Sequence, residues 1–287
     1  MAREFFYDIT DRGDLLLDGT VQDDPEFVDF FFRRLATSAN PEYAEYPFVS
    51  RCGAEWNYLR PVDTAIVFTH YFDGRLWYAA SLSVPFDANK LTYSPEGVLY
   101  HGAPVGKRGR LVPSVATEIA RHISPLGPYY HYDDGGGRQG LVVPTVLPDG
   151  RRILRPRPDN LCIGCGAANP HGLALTFEVN DHTQHVRTWI RPDVRLQGSL
   201  STVHGGFVSL LLDETMGKSL SIHGIKAPTA QLQVNFRRPM LMGRDHVVDA
   251  HIVEQHGRKN FVSAEIRAVD DPEHVVAEGK ALFITLR

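Results

Sequence analysis

The chain has 287 residues, 43% of them hydrophobic, enough for one large domain or two of ordinary size. Its formal net charge of −4 provides no overall basic field of the kind that holds nucleic acid, so no nucleic-acid partner is expected. No stretch approaches the roughly 18 uninterrupted apolar residues of a membrane span, and "MAREFFYDITDRGD" has neither a basic start with an apolar core nor a small-residue cleavage site. A soluble, unexported chain with no membrane partner is therefore expected.

From Glu4 to about Ile123 the sequence is dense in aromatics and short β-like runs: "EFFYDI", "LLLDG", "AIVFTHYF", "RLWYAASLSV" and "GVLYHG", separated by Gly, Asp and Pro. Two helical patches interrupt them. "DPEFVDFFFRRLATS" has Asp24 as N-cap and Pro25 at the first helical position, and "VPSVATEIARHI" places Ser114 before an apolar run. Residues 1–135 thus read as a separate α+β domain. Residues 136–159 shift to glycine, proline and arginine and read as a linker; "GGGRQG" lacks the Lys-Ser or Lys-Thr ending of a phosphate-binding loop.

Residues 160–287 form the second domain: "LALTFEV" and "HVRTWIR", a long apolar helix from about Gly206 to Ile222, then "TAQLQVNFRRP", "HVVDAHIVEQ", "NFVSAEIRAV" and "HVVAEGKALFITL". The last four alternate with period two at hairpin spacing, which predicts an antiparallel sheet covered by the single helix.

That helix carries the chemistry. Glycine at a helix N-terminus bares amide N–H groups that lack intrahelical partners, so Gly205 and Gly206 can present donors to a developing oxyanion. Asp213 has small neighbours in Ser209 and Gly217, whereas Glu214 has Lys218 four residues on and reads as a solvated ion-pair position. Gly205 and Asp213 stand about 12 Å apart along the axis. One carbonyl carbon served by both requires the acid from a second copy, hence a homodimer.

"QGSLSTVHGGFVSLLLDETMG", with "TAQLQVNFRRPMLMG" after it and "CIGCGAANPHGLALTFEV" before it, resembles the PaaI-like acyl-CoA thioesterases of the hotdog superfamily (the 4HBT thioesterases) over residues of about 160 to 287. The resemblance implies a long helix wrapped by an antiparallel sheet, dimers or tetramers, and hydrolysis of acyl-CoA to free acid and coenzyme A. It implies Gly205 as backbone donor to the thioester carbonyl, Asp213 as the carboxylate that activates water or attacks, and His204 as shaping the turn. It also implies Thr229 assisting the water, Gln197 in the pocket, and Arg237 and Arg238 near the coenzyme A phosphates. "SLST" departs from the glycine often found there. The first half, in "REFFYDITDRGDLLLDG" and "GVLYHGAP", resembles a widespread domain of unknown function, which implies no activity.

Three cysteines, Cys52, Cys162 and Cys165, are too few for a disulfide framework and fit a reducing cytoplasm. Cys162 and Cys165 form C-x-x-C with His171 near, but no second C-x-x-C or H-x₃₋₅-H completes a zinc set, so no metal is expected. Ser199 and Ser201 lie outside a G-x-S-x-G elbow. In the first domain Cys52, Glu55, Asn57, Arg60 and His101 are candidates for a polar pocket, against the plainer reading of a turn with a buried cysteine. Thioester hydrolysis needs no cofactor, coenzyme A being part of the substrate. Two other functions stay open: a hotdog dehydratase or hydratase using His204, and a non-catalytic acyl-CoA sensor.

Overall fold

The computed structural model describes residues 3–286. The chain folds as two compact units: residues up to 123 together with 132–145, and residues 124–131 together with 146 onward.

The first unit is largely sheet, which departs from the α+β expectation. One sheet runs in the order Thr20–Val21, Leu15–Leu17, Arg3–Ile9, Glu55–Pro61, Phe48–Cys52, Leu35–Thr37, with the parallel pairing between Arg3–Ile9 and Glu55–Pro61. Leu82–Pro85, Arg75–Tyr78 and His70–Phe72 make a three-stranded sheet. Helix is confined mainly to Pro25–Arg33 and Pro113–Ala120. Asp24 caps the former through the Phe27 N–H at 2.9 Å, as its sequence predicts. The latter begins at Pro113, with Val112 as N-cap and no side-chain cap, so Ser114 lies inside the helix. Phe31, Leu59, Ile66, Phe68 and Leu76 fill the core.

The stretch expected as a linker contains strands Gln139–Pro144 and Arg151–Leu154. Leu141, Val142 and Val143 are buried. A side chain at Gly140 would collide with the Ala88 backbone at 2.5 Å. The glycine there serves close packing.

The second unit is a seven-stranded sheet in the order Arg151–Leu154, Phe177–Asn180, His185–Ile190, His246–His256, Lys259–Ala268, Asp271–Ile284, Thr229–Phe236, antiparallel at every pairing. The first of the four C-terminal strands therefore crosses to the far edge beside the last, and only the other three follow one another as hairpins. The helix Gly205–Ser221 lies on one face, burying Val208, Leu211, Leu212, Met216 and Leu220. Strand Lys259–Ala268 alternates partly buried and buried positions with period two, turning Val262, Ala264 and Ile266 to the core. Small residues on the facing sheet admit the helix. At Gly279 a Cβ would sit 3.3 Å from Met216 Cε and 3.4 Å from Leu212 Cβ. Each large aliphatic side chain hidden this way stabilises the unit by about 1.5–3 kcal/mol.

Among the described residues no helix is long and apolar enough to cross a membrane.

Candidate active site

The helix begins at Gly205 with His204 as N-cap. Its first amides have no intrahelical acceptors, and they are satisfied unequally. Gly206 N–H donates to His204 Nδ1 at 2.9 Å, while Phe207 and Val208 N–H donate to the His204 carbonyl at 2.9 and 3.2 Å. Among the described residues nothing accepts from Gly205 N–H.

The two glycines serve different ends. A Cβ at Gly206 would come within 3.0 Å of His204 Nδ1, so this glycine keeps room for the capping ring. A Cβ at Gly205 would meet only the Phe236 ring, at an ordinary 3.5 Å. Packing within one copy leaves Gly205 unexplained.

In front of Gly205 lies a cleft of about 350 Å³ lined by Thr202, Phe236, Arg237 and Arg238 among others. Arg237 donates through Nε to Glu278 at 2.9 Å and holds that carboxyl below the usual carboxylate range; Arg238 stands 3.9 Å from Asp271. Both guanidiniums remain half exposed at the cleft.

Asp213, two turns further along the helix, accepts a 2.7 Å hydrogen bond at Oδ1 from the Thr229 hydroxyl. Its Oδ2 accepts no hydrogen bond among the described residues. Both residues line a second, larger cleft of about 890 Å³, shared with Lys218, Cys162 and Cys165. Asp213 and Gly205 thus face different clefts of one copy. Gln197 lies exposed on the loop before the helix, its backbone bridged to Val203, and lines neither cleft.

Glu214 departs from its expected solvated role. It makes the predicted pair with Lys218 at 3.4 Å, but its side chain is largely covered and its Oε2 accepts from Cys162 Sγ at 3.4 Å. Lys218 also donates to Cys165 Sγ at 2.9 Å. Burial pushes the Cys165 thiol up to about 12. Burial opposes the Lys218 charge, but Cys165 and Glu214 outweigh it and hold the ammonium above its ordinary pKa. No helical spacing announces a loop cysteine some fifty residues away. The available signal is Gly164, where a Cβ would fall 2.7 Å from Glu214 Cγ.

In the first unit the expected polar cluster disperses. Cys52 faces Glu55 across a hairpin, Asn57 is buried, and Arg60 pairs with Asp8 at 2.7 Å on the surface. His101 is buried against Phe86, accepting at Nε2 from the Asp87 N–H at 3.0 Å.

Both sequence resemblances hold. Residues 200–274 match the thioesterase superfamily, and residues 1–135 match a domain of unknown function (DUF4505). The chain is similar to the acyl-coenzyme A thioesterase THEM4 of Mus musculus, 34% identical over 93 residues, 32% of this chain and 40% of that protein. To THEM4 of Xenopus laevis it is 32% identical over 96 residues, 33% of this chain and 43% of the relative. It therefore spans less than half the length of these curated relatives. A solved thioesterase superfamily protein is 26% identical, with a TM-score of 0.37, covering 40% of this chain and 57% of that one.

Proposed function

We propose that the chain is an acyl-CoA thioesterase whose active site is assembled from two copies. The observation that carries this reading is the hydrogen bond from Thr229 to Asp213, which orients one carboxylate oxygen and leaves the other for a water molecule. The likeness of residues 200–274 to the thioesterase superfamily supports the same reaction class.

The strand Thr229–Phe236 supports the two-copy arrangement. It is the edge of its sheet and largely exposed, with unpaired backbone groups available to another strand. Two such edges meeting antiparallel about a two-fold axis, centred between Leu232 and Gln233, set Thr229 of one copy opposite Phe236 of the other. Thr229 holds Asp213, and Phe236 borders the cleft of Gly205. The symmetry brings together the acid and the amide that one helix keeps apart.

In the composite site Asp213 takes a proton from water, and the resulting hydroxide oxygen bonds to the thioester carbon. Gly205 N–H donates to the carbonyl oxygen as its charge grows. The carbon–sulfur bond then breaks, the proton passes to the leaving thiolate, and acid and coenzyme A depart. Arg237 and Arg238 flank the cleft where a polyphosphate would lie. His204 shapes the turn through its ring, and Gln197, exposed on the preceding loop, takes no assigned step. No cofactor takes part, and a cytoplasmic setting supplies the substrate.

A dehydratase using His204 is disfavoured because Nδ1 already caps the Gly206 amide. The test is release of free thiol from short, medium, long and aryl acyl-CoAs by the purified full chain, with Asp213→Asn alongside. Turnover that disappears in the variant is expected. Wild-type turnover in Asp213→Asn would overturn the mechanism, and tight binding without turnover would favour the sensor reading.

A further inference from the structure

Beside Asp213 on the same helix, a second group of side chains has no part in this hydrolysis. Cys162 and Cys165 sit in a tight turn closed by Gly166 N–H donating to the Cys162 carbonyl at 2.9 Å. A Cβ on Gly166 would strike the Asn160 carbonyl oxygen at 2.3 Å. Glu214 reaches this turn from the helix, and the ligand atoms of Cys162, Cys165 and Glu214 all lie within 4.8 Å of one another. Between the two cysteines stands Gly164, where a Cβ would fall 2.9 Å from Glu214 Oε2. The turn is bare at the point where the carboxylate enters. A cation is already drawn there, since the Lys218 ammonium lies 2.9 Å from Cys165 Sγ and 3.4 Å from Glu214 Oε1.

We propose that Cys162, Cys165 and Glu214 form a zinc site. Two thiolates select a borderline-soft ion over magnesium or calcium, and one carboxylate completes a three-ligand set that leaves the fourth position to solvent. Tetrahedral zinc with ordinary bond lengths sets sulfur and oxygen about 3.5 Å apart and the two sulfurs about 3.8 Å apart. Cys162 Sγ and Glu214 Oε2 stand 3.4 Å apart, and no pair in the set exceeds 4.8 Å, so closing on the ion takes a contraction of about 1.3 Å or less.

The charges also balance. Two thiols give up their protons to solvent on binding, so one divalent ion meets three negative ligands, and Lys218 neutralises the remainder while donating to sulfur. The ion fastens the turn of Cys162 and Cys165 to the helix beside Asp213. The ion takes no part in the proposed hydrolysis, and the inference stands whether or not the chain hydrolyses thioesters.

The test uses the full chain, purified reduced and without chelator, with zinc measured by elemental analysis and cobalt(II) added to metal-stripped protein as a probe. Expected are about one zinc per chain and a tetrahedral cobalt spectrum with a thiolate charge-transfer band that zinc displaces. Cys162→Ser and Cys165→Ser should each abolish the band, and Glu214→Gln should weaken cobalt binding about tenfold or more with the circular dichroism of the fold retained. Folded wild-type chain with both thiols free that binds no cobalt would overturn the proposal. So would cobalt binding unchanged in Glu214→Gln. Should the serine variants fail to fold, the wild-type spectrum and Glu214→Gln decide the question.

Discussion

The Thr229 hydroxyl donates to Asp213 Oδ1 at 2.7 Å, tying the first residue of the edge strand to the middle of the long helix. A hydrogen bond to a charged group is worth about 1.5–3 kcal/mol, so Thr229→Ala should lower kcat roughly ten- to hundredfold, while Thr229→Ser keeps most of it. Asp213→Asn removes the base itself and should cost about 10²- to 10⁴-fold. Steady-state thiol release with an acyl-CoA checks both. A Thr229→Ala variant that changes KM alone would assign the hydroxyl to substrate binding.

Gly205 separates stability from function. Its Cβ would meet only the Phe236 ring at 3.5 Å, and alanine is the better helix former by up to about 1 kcal/mol. Gly205→Ala should melt no lower than wild type yet lose turnover, because the added methyl crowds the approach to the free amide. A matching rise in thermal midpoint with undiminished turnover would remove the amide from the mechanism.

The two-copy site makes a sharper demand. Gly205→Ala and Asp213→Asn should each be nearly inactive, but a mixture refolded together forms hybrids in which one of the two composite sites carries neither change. At random 1:1 pairing the mixture should regain about a quarter of wild-type turnover. Activity that stays at the sum of the separate variants would mean that each site is built within one copy.

The sequence made this site legible as far as local geometry reaches. Helix position and the eight-residue offset between Gly205 and Asp213 follow from spacing along one element, whereas the capping role of His204 is given by the structure alone. What helix periodicity could not give was the partner across the fold. Glu214 with Lys218 four residues on reads as a surface pair, and the turn of Cys162 and Cys165 reaches it from across the fold. The same holds for strand order: Thr229–Phe236 has the period of any strand, and its choice of Asp271–Ile284 over its sequence neighbour is a long-range pairing. Composition misled at residues 136–159, where glycines read as flexible but Gly140 allows a close backbone approach beneath the buried run Leu141–Val143.

Glu178 is 1% exposed and accepts from both the Tyr129 hydroxyl and Arg151, the latter at 2.6 Å. Removing Glu178 leaves Arg151, 29% exposed, without its carboxylate, a cost at the low end of the about 3–5 kcal/mol for breaking a buried pair. Glu178→Ala should therefore lower the thermal midpoint by roughly 10 °C, and Tyr129→Phe by less. Scanning calorimetry of the two variants checks the order. Equal and small shifts would show that solvent reaches the carboxylate.

His246 sets an acid limit on stability. Its ring is buried, with Nδ1 2.8 Å from the Arg244 carbonyl and, among the described residues, Nε2 without a hydrogen-bond partner. Burial holds its pKa below the ordinary 6.5, outweighing the neighbouring Asp245 and Asp270 carboxylates. The sign follows from linkage: below about pH 6.5 the unfolded chain takes up a proton that the folded ring refuses, so stability falls as pH falls. The slope approaches about 1.4 kcal/mol per pH unit for this one group until the folded ring protonates in turn. Above pH 7 its contribution is complete and flat. His246→Asn keeps a donor for the Arg244 carbonyl but has no proton to gain, so it should flatten this part of the stability curve. Urea unfolding of both chains between pH 4.5 and 8 measures the difference, and parallel curves for the two would assign the acid sensitivity to other groups.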